Sequence, residues 1–203
     1  MIDNLQNDFI ATELNPDLLP APFGVQTNWH VITGAQSSGK TTLIDQLADE
    51  GFPTVPEVAR QYFEREMARG RTMDQILENP AALERRLTDM QLRIEHGLRA
   101  IDVVFLDRAL PDYLIFYRIF GMNPNEMLLK CFHHRYASVF VLDRLPFQQD
   151  GLREEVDVSA VLLDEWLPRD YGALGYDVVR VPVLPPQERL AFVLERLSEQ
   201  GLI

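Results

Sequence analysis

The run Gly34-Ala35-Gln36-Ser37-Ser38-Gly39-Lys40-Thr41 has the spacing G-x-x-x-x-G-K-[ST], a pattern suited to holding a nucleotide triphosphate. A polyphosphate needs several N–H donors at once, and a bulky side chain near the chain would block them. Gly34 and Gly39 keep the backbone bare, and Ala35, Gln36, Ser37 and Ser38 carry the amides between them. Lys40 is placed to reach the β- and γ-phosphates, and the Thr41 hydroxyl to complete a coordination position on Mg²⁺. Thr42 ends the nucleotide-binding stretch and reads mainly as structural.

These groups work only if a strand delivers the loop and a helix receives it. Trp29-His30-Val31-Ile32-Thr33 reads as a short strand, and Leu43, Ile44, Leu47 and Ala48 form the apolar stripe of a helix. The dipole of that helix favours negative charge at its start. Further along, Pro53 to Glu57 reads as a second strand, and Val58 to Arg69 as a helix ended by Gly70. A long helix is expected over Ala81 to Ala100, then a buried strand Val103-Val104-Phe105-Leu106-Asp107, with Pro111 opening a helix. Asn123 and Glu126 have the spacing of a helix-capping pair. Ser138 to Leu142 and Tyr176 to Val181 read as strands. The helix starting near Ser159 is expected to stop or kink at Pro168, and a terminal helix begins at Pro185 or Pro186. This β-α alternation predicts a parallel sheet covered by helices, with the ligand crevice at the carboxyl ends of the strands. Residues 1–28, with Pro16, Pro20 and Pro22, read as an N-terminal arm ahead of a single domain at 29–203.

A chain of 203 residues that is 46% hydrophobic and 25% charged is long enough for one substantial core. Its net charge of −12 argues against nucleic acid or an anionic membrane as partner. The chain has lysine only at Lys40 and Lys130, so one of the two falls where the phosphate loop requires it. Neither lies in an Asn-Lys-x-Asp guanine-reading motif, which argues against an ordinary small GTPase. Cys131 is the single cysteine, so the chain forms no internal disulfide, and it has neither an export signal nor a long apolar run. A cytoplasmic protein is expected.

Asp107 ends a buried strand at the edge where the phosphates would sit, placed to hold Mg²⁺ directly or through water, or to orient a nucleophile. Arg108 beside it is a candidate for an anionic group. Glu57 and Arg60 stand one helical turn apart and can face one cleft toward an acceptor, with Glu57 a candidate to take a hydroxyl proton. Arg144 and Arg153 bracket a polar segment, about residues 144–157, that reads as a lid able to bring guanidinium groups to the transferring phosphoryl. Asp112, His133 and His134 carry weaker signals, the histidines reading as helix-surface or core residues.

The order of these segments resembles the P-loop kinase superfamily, in particular its branch of ribosylnicotinamide kinase domains and related AAA-type ATP-binding domains. Gly34 to Thr41 is similar to that branch's G-x-x-S-S-G-K-[ST], Glu57-Val58-Ala59-Arg60 to its E-x-x-R, Phe105-Leu106-Asp107 to its third-strand aspartate, and Asp150-Gly151-Leu152-Arg153 to its D-G-[IL]-R lid motif. The resemblance implies an α/β, three-layer nucleotide-kinase-like fold with a five-stranded parallel sheet, helices on both faces and a lid segment. It also implies phosphoryl transfer from Mg-ATP to a small-molecule acceptor, nucleoside-like or nucleotide-like. Lys40 and Arg153 would stabilise phosphoryl charge, Thr41 and Asp107 manage Mg²⁺, and Glu57, Arg60 and Arg108 face the acceptor. Asp107-Arg108 departs from the Asp-Thr of ribosylnicotinamide kinases and is more like nucleoside and nucleotide kinases. A nucleotide-binding regulatory module and a stand-alone ATPase are the alternatives.

Overall fold

Every residue of Trp29–Gly34 is buried, as expected for a central parallel strand covered on both faces. The computed structural model describes residues 9–145 and 158–203. In chain order the elements are β1 (Val25–Gln26), β2 (Trp29–Gly34), α1 (Lys40–Asp49), β3 (Thr54–Val55), α2 (Val58–Ala68), α3 (Met73–Ile76), α4 (Pro80–Gly97), β4 (Val104–Asp107), α5 (Asp112–Ile119) and α6 (Asn125–Leu128). A 3₁₀ turn (Leu129–Phe132) follows, then β5 (His134–Arg135), β6 (Ser138–Leu142), α7 (Val158–Ala173), β7 (Val178–Val181) and α8 (Pro186–Glu199).

The main sheet has five strands in the order β3-β4-β2-β6-β7, every neighbouring pair parallel. The side-chain alternation of each strand divides the core in two. Val31, Leu106, Val139 and Val141 join one cluster with Leu87, Leu114, Leu163 and Tyr171. Ile32, Phe105, Phe140 and Leu142 join the other with Leu43 and Leu47 of α1 and Leu190, Val193 and Leu197 of α8. Helices therefore cover both faces, as the β-α alternation predicts. The register pairs Ile32 with Asp107 and Gly34 with Leu142, which brings the ends of β2, β4 and β6 to one edge.

Two local expectations need correction. Pro168 does not end its helix: α7 continues through it to Ala173. The lost hydrogen bond is tolerated because Leu163, Trp166, Leu167 and Tyr171 are buried and hold the helix to the sheet on either side of the proline. Asn123 is not the cap of α6, a place taken by Pro124; the Asn123 side chain instead accepts from the Asn125 amide at 3.0 Å. Its partner in the expected pair, Glu126, turns to Arg85 at 3.0 Å. Of the paired histidines, read as helix-surface or core residues, one is core and the other lies at the surface, though on no helix. His134 is buried on β5, its Nδ1 3.2 Å from Glu95, while His133 is exposed.

Residues 9–28, read as an arm, lie against the core. Leu14 is buried, Phe9 stands edge-on to Trp166 at 6.0 Å, and Thr12 accepts from Arg118 Nε at 2.8 Å. β1 pairs in parallel with β5 in a separate two-stranded sheet. Among the described residues no helix is long and apolar enough to cross a membrane.

Candidate nucleotide and acceptor site

The loop from Gly34 to Gly39 turns the chain from the end of β2 into α1 using backbone conformations in the left-handed region, with φ of 143° at Gly34, 57° at Ser37 and 89° at Gly39. Gly34 is demanded by contact with backbone as well as by φ, and Gly39 by φ. A β-carbon at Gly34 would stand 2.8 Å from the Leu142 carbonyl oxygen, and one at Gly39 would stand 2.9 Å from the Arg189 guanidinium. Gly34→Ala is therefore expected to lower stability by about 1–3 kcal/mol, read as a lower urea midpoint at unchanged slope. An unchanged midpoint would show that the loop relaxes freely.

α1 begins at Lys40 with no side-chain cap and no carboxylate in its first turn, so its amide end is free for an anion. Lys40 folds back over the loop and its Nζ donates to the Ala35 carbonyl at 2.6 Å. Burial, followed by repulsion from Arg108, lowers its pKa to about 8, against the opposing pull of Asp107, Glu57 and Asp112. Gln36, Ser37, Thr41 and Thr42 are exposed, while Ala35 and Ser38 are buried.

Asp107 ends β4 beside this loop, and its Oδ1 is buried with no partner among the described residues. Burial and the nearby Glu57 charge raise its pKa to about 6. Arg108 follows at φ 70° and is also buried. Its Nε donates to Glu57 Oε1 at 3.0 Å and its Nη1 to Asp112 Oδ1 at 3.1 Å, with the guanidinium over the Phe116 ring. Burial works against the Arg108 charge, but Glu57, Asp112 and Asp107 outweigh it and hold the group protonated. Arg60 is exposed and reaches Thr41 Oγ1 at 3.5 Å, while its Nε lies 3.4 Å from Glu64.

The structure thus brings Lys40, Thr41, Glu57, Arg60, Asp107 and Arg108 to one crevice at the strand ends. Arg144 stands two residues beyond β6, half-buried at the same edge of the sheet. Arg153 and the rest of the Asp150-Gly151-Leu152-Arg153 stretch fall outside the described residues.

Three residues of this region carry little signal in the sequence. Asp112 is fully buried and accepts from Arg108, from the Thr33 hydroxyl, from the Ala109 amide at 3.1 Å and from the Tyr171 hydroxyl at 2.6 Å. It ties β2, α5 and α7 to the floor of the crevice. Glu84 of α4 is buried with its Oε2 unpartnered among the described residues. Arg189 of α8 donates from Nη1 to the Ser38 carbonyl and so holds the phosphate loop from outside, its Nε and Nη2 having no partner among the described residues. Its place in the sequence reads only as one more helical position. Arg189→Ala is expected to weaken Mg-ATP binding about tenfold, the scale of one hydrogen bond to a charged group, as measured by titration calorimetry. Unchanged affinity would show that the loop holds its shape alone.

A family model described as an AAA domain matches residues 29–189. Solved structures share the fold: the NadR protein in complex with NR is 22% identical, with 91% of this chain and 53% of that chain covered at a TM-score of 0.61. Shikimate kinase from Aquifex aeolicus is 20% identical over 86% of this chain and 98% of its own, with a TM-score of 0.52. Thymidylate kinase from Candida albicans is 11% identical over 87% and 93%, with a TM-score of 0.61. The chain spans about half the length of the NadR chain. No curated protein matches it in sequence.

Proposed function

The chain belongs to the AAA domain family and carries the P-loop kinase fold, and on that premise we propose that it moves the γ-phosphoryl of Mg-ATP onto a small-molecule acceptor. The observation that supports this most is Lys40, whose ammonium already lies over the loop, 2.6 Å from the Ala35 carbonyl, at an uncapped helix start. On nucleotide binding it exchanges that carbonyl for β- and γ-phosphate oxygens, and the loop amides take the remaining charge.

Mg²⁺ fits the residues present. Asp107 has a buried oxygen without a partner among the described residues, and the Thr41 hydroxyl is exposed. Such a sparse protein donor set suits an ion that keeps waters and phosphate oxygens in its shell. Thr41 and Asp107 would hold it, and it supplies neutralisation of charge on the transferring phosphoryl.

Glu57, held by Arg108 at 3.0 Å and partly open to the crevice, orients the acceptor hydroxyl and takes its proton. Arg60 attends the donor side beside Thr41. Arg153, outside the described residues, would stabilise phosphoryl charge, a role that rests on its sequence motif alone. The test is incubation with γ-labelled ATP and a panel of nucleosides, nucleotides and sugars. Label in an acceptor supports the proposal. Phosphate release independent of acceptor would make the protein an ATPase, and tight binding without turnover a regulatory module.

A further inference from the structure

Resting on the phosphotransfer reading, we propose that the acceptor is an uncharged hydroxyl compound, a nucleoside-like or sugar-like molecule without a phosphate of its own. The geometry that points there is the pairing on the acceptor side of the crevice. An enzyme that phosphorylates a monophosphate needs a cation with charge to spare where that phosphate sits. Arg108 is the buried cation on this side, and it is already shared by two carboxylates, Glu57 at 3.0 Å and Asp112 at 3.1 Å. Arg60 faces the donor side, at Thr41 and Glu64. A phosphate dianion beside Arg108 would therefore sit among carboxylates that already share that cation.

A second buried carboxyl, on α4, carries no charge to attract a cation. Glu84 is 5% exposed, its Oε2 has no partner among the described residues, and Arg108 is near enough to act on it. Burial, with the charges of Glu84, Asp112 and Glu57, raises the Tyr113 phenol well above its ordinary value. Burial raises the Glu84 carboxyl to about 8, so near neutrality it bears a proton. Glu57, partly exposed beside Arg108, is left to engage the reacting hydroxyl.

Full-length protein saturated with Mg²⁺ and a non-hydrolysable ATP analogue should be titrated calorimetrically with matched pairs: adenosine and AMP, thymidine and dTMP, ribose and ribose 5-phosphate. In at least one pair the neutral member is expected to bind at least about tenfold more tightly, the scale of a close like-charge contact in a hydrated site. Glu57→Gln, which frees part of the Arg108 charge, is expected to raise affinity for the phosphorylated members about tenfold. Equal or tighter binding of the phosphorylated members to the unaltered protein would overturn the inference, as would failure of every pair to bind. The two readings part in the labelling assay. Label on a monophosphate sinks this inference and leaves the phosphotransfer reading standing, whereas label released only to water sinks both.

Discussion

Lys40→Ala is expected to lower kcat/KM for phosphoryl transfer by about a thousandfold, the scale of losing a preorganised charge at the transferring group. Its ammonium is buried, and its one hydrogen bond among the described residues is to the loop's own Ala35 carbonyl. That contact is weak competition for a triphosphate, so the charge is stored for the ligand. Lys40→Arg should restore little, because a planar guanidinium cannot replace a compact ammonium inside the turn. Initial rates with the identified acceptor, beside calorimetry with Mg-ATP, provide the measurement. Retention of both rate and affinity in Lys40→Ala would falsify the assignment of the loop. The fold should survive, since the strained positions of the loop are Gly34, Ser37 and Gly39.

Asp170→Ala is expected to cost about 3–5 kcal/mol of stability, a fall in Tm of roughly 10 °C for a chain of this length. Arg118 is fully buried in α5 and is held by Asp170 through two parallel hydrogen bonds, Nη1 to Oδ2 at 2.6 Å and Nη2 to Oδ1 at 3.0 Å. Its Nε donates to the Thr12 carbonyl, and the guanidinium lies 4.3 Å from the Trp166 ring centre. One group therefore joins the N-terminal segment, α5 and α7. Removing the carboxylate strands a desolvated cation, which is worse than having no ion pair at all. The double variant Arg118→Met, Asp170→Ala should recover much of the loss. Thermal unfolding of the two variants checks this, and an Asp170→Ala protein as stable as the parent would mean that water reaches the guanidinium.

The two predictions differ in how far the sequence announces them. Lys40 stands inside a contiguous motif whose glycines, amides and helix start are consecutive in the chain. Nothing in the spacing of Arg118 and Asp170, 52 residues apart, pairs them. The same contrast runs through the crevice. Asp107 was legible because a run of buried apolar residues ending in a carboxylate signals a strand terminus at the ligand edge. Asp112, one turn further on, carried little signal because its partners Thr33 and Tyr171 come from β2 and α7.

The sequence by itself determined the phosphate loop, the β-α alternation, the parallel sheet and the acidic residue at the end of β4, because each depends on local pattern: period, glycine position, a helix start. Only the tertiary structure decided that Arg108 is shared between Glu57 and Asp112, that Arg189 holds the Ser38 carbonyl 151 residues away, and that Pro168 rides inside a helix. Those outcomes depend on burial. A charge shut away from water must find its partner in whatever the packed elements bring beside it, and a proline is carried through where the side chains around it are held by the core.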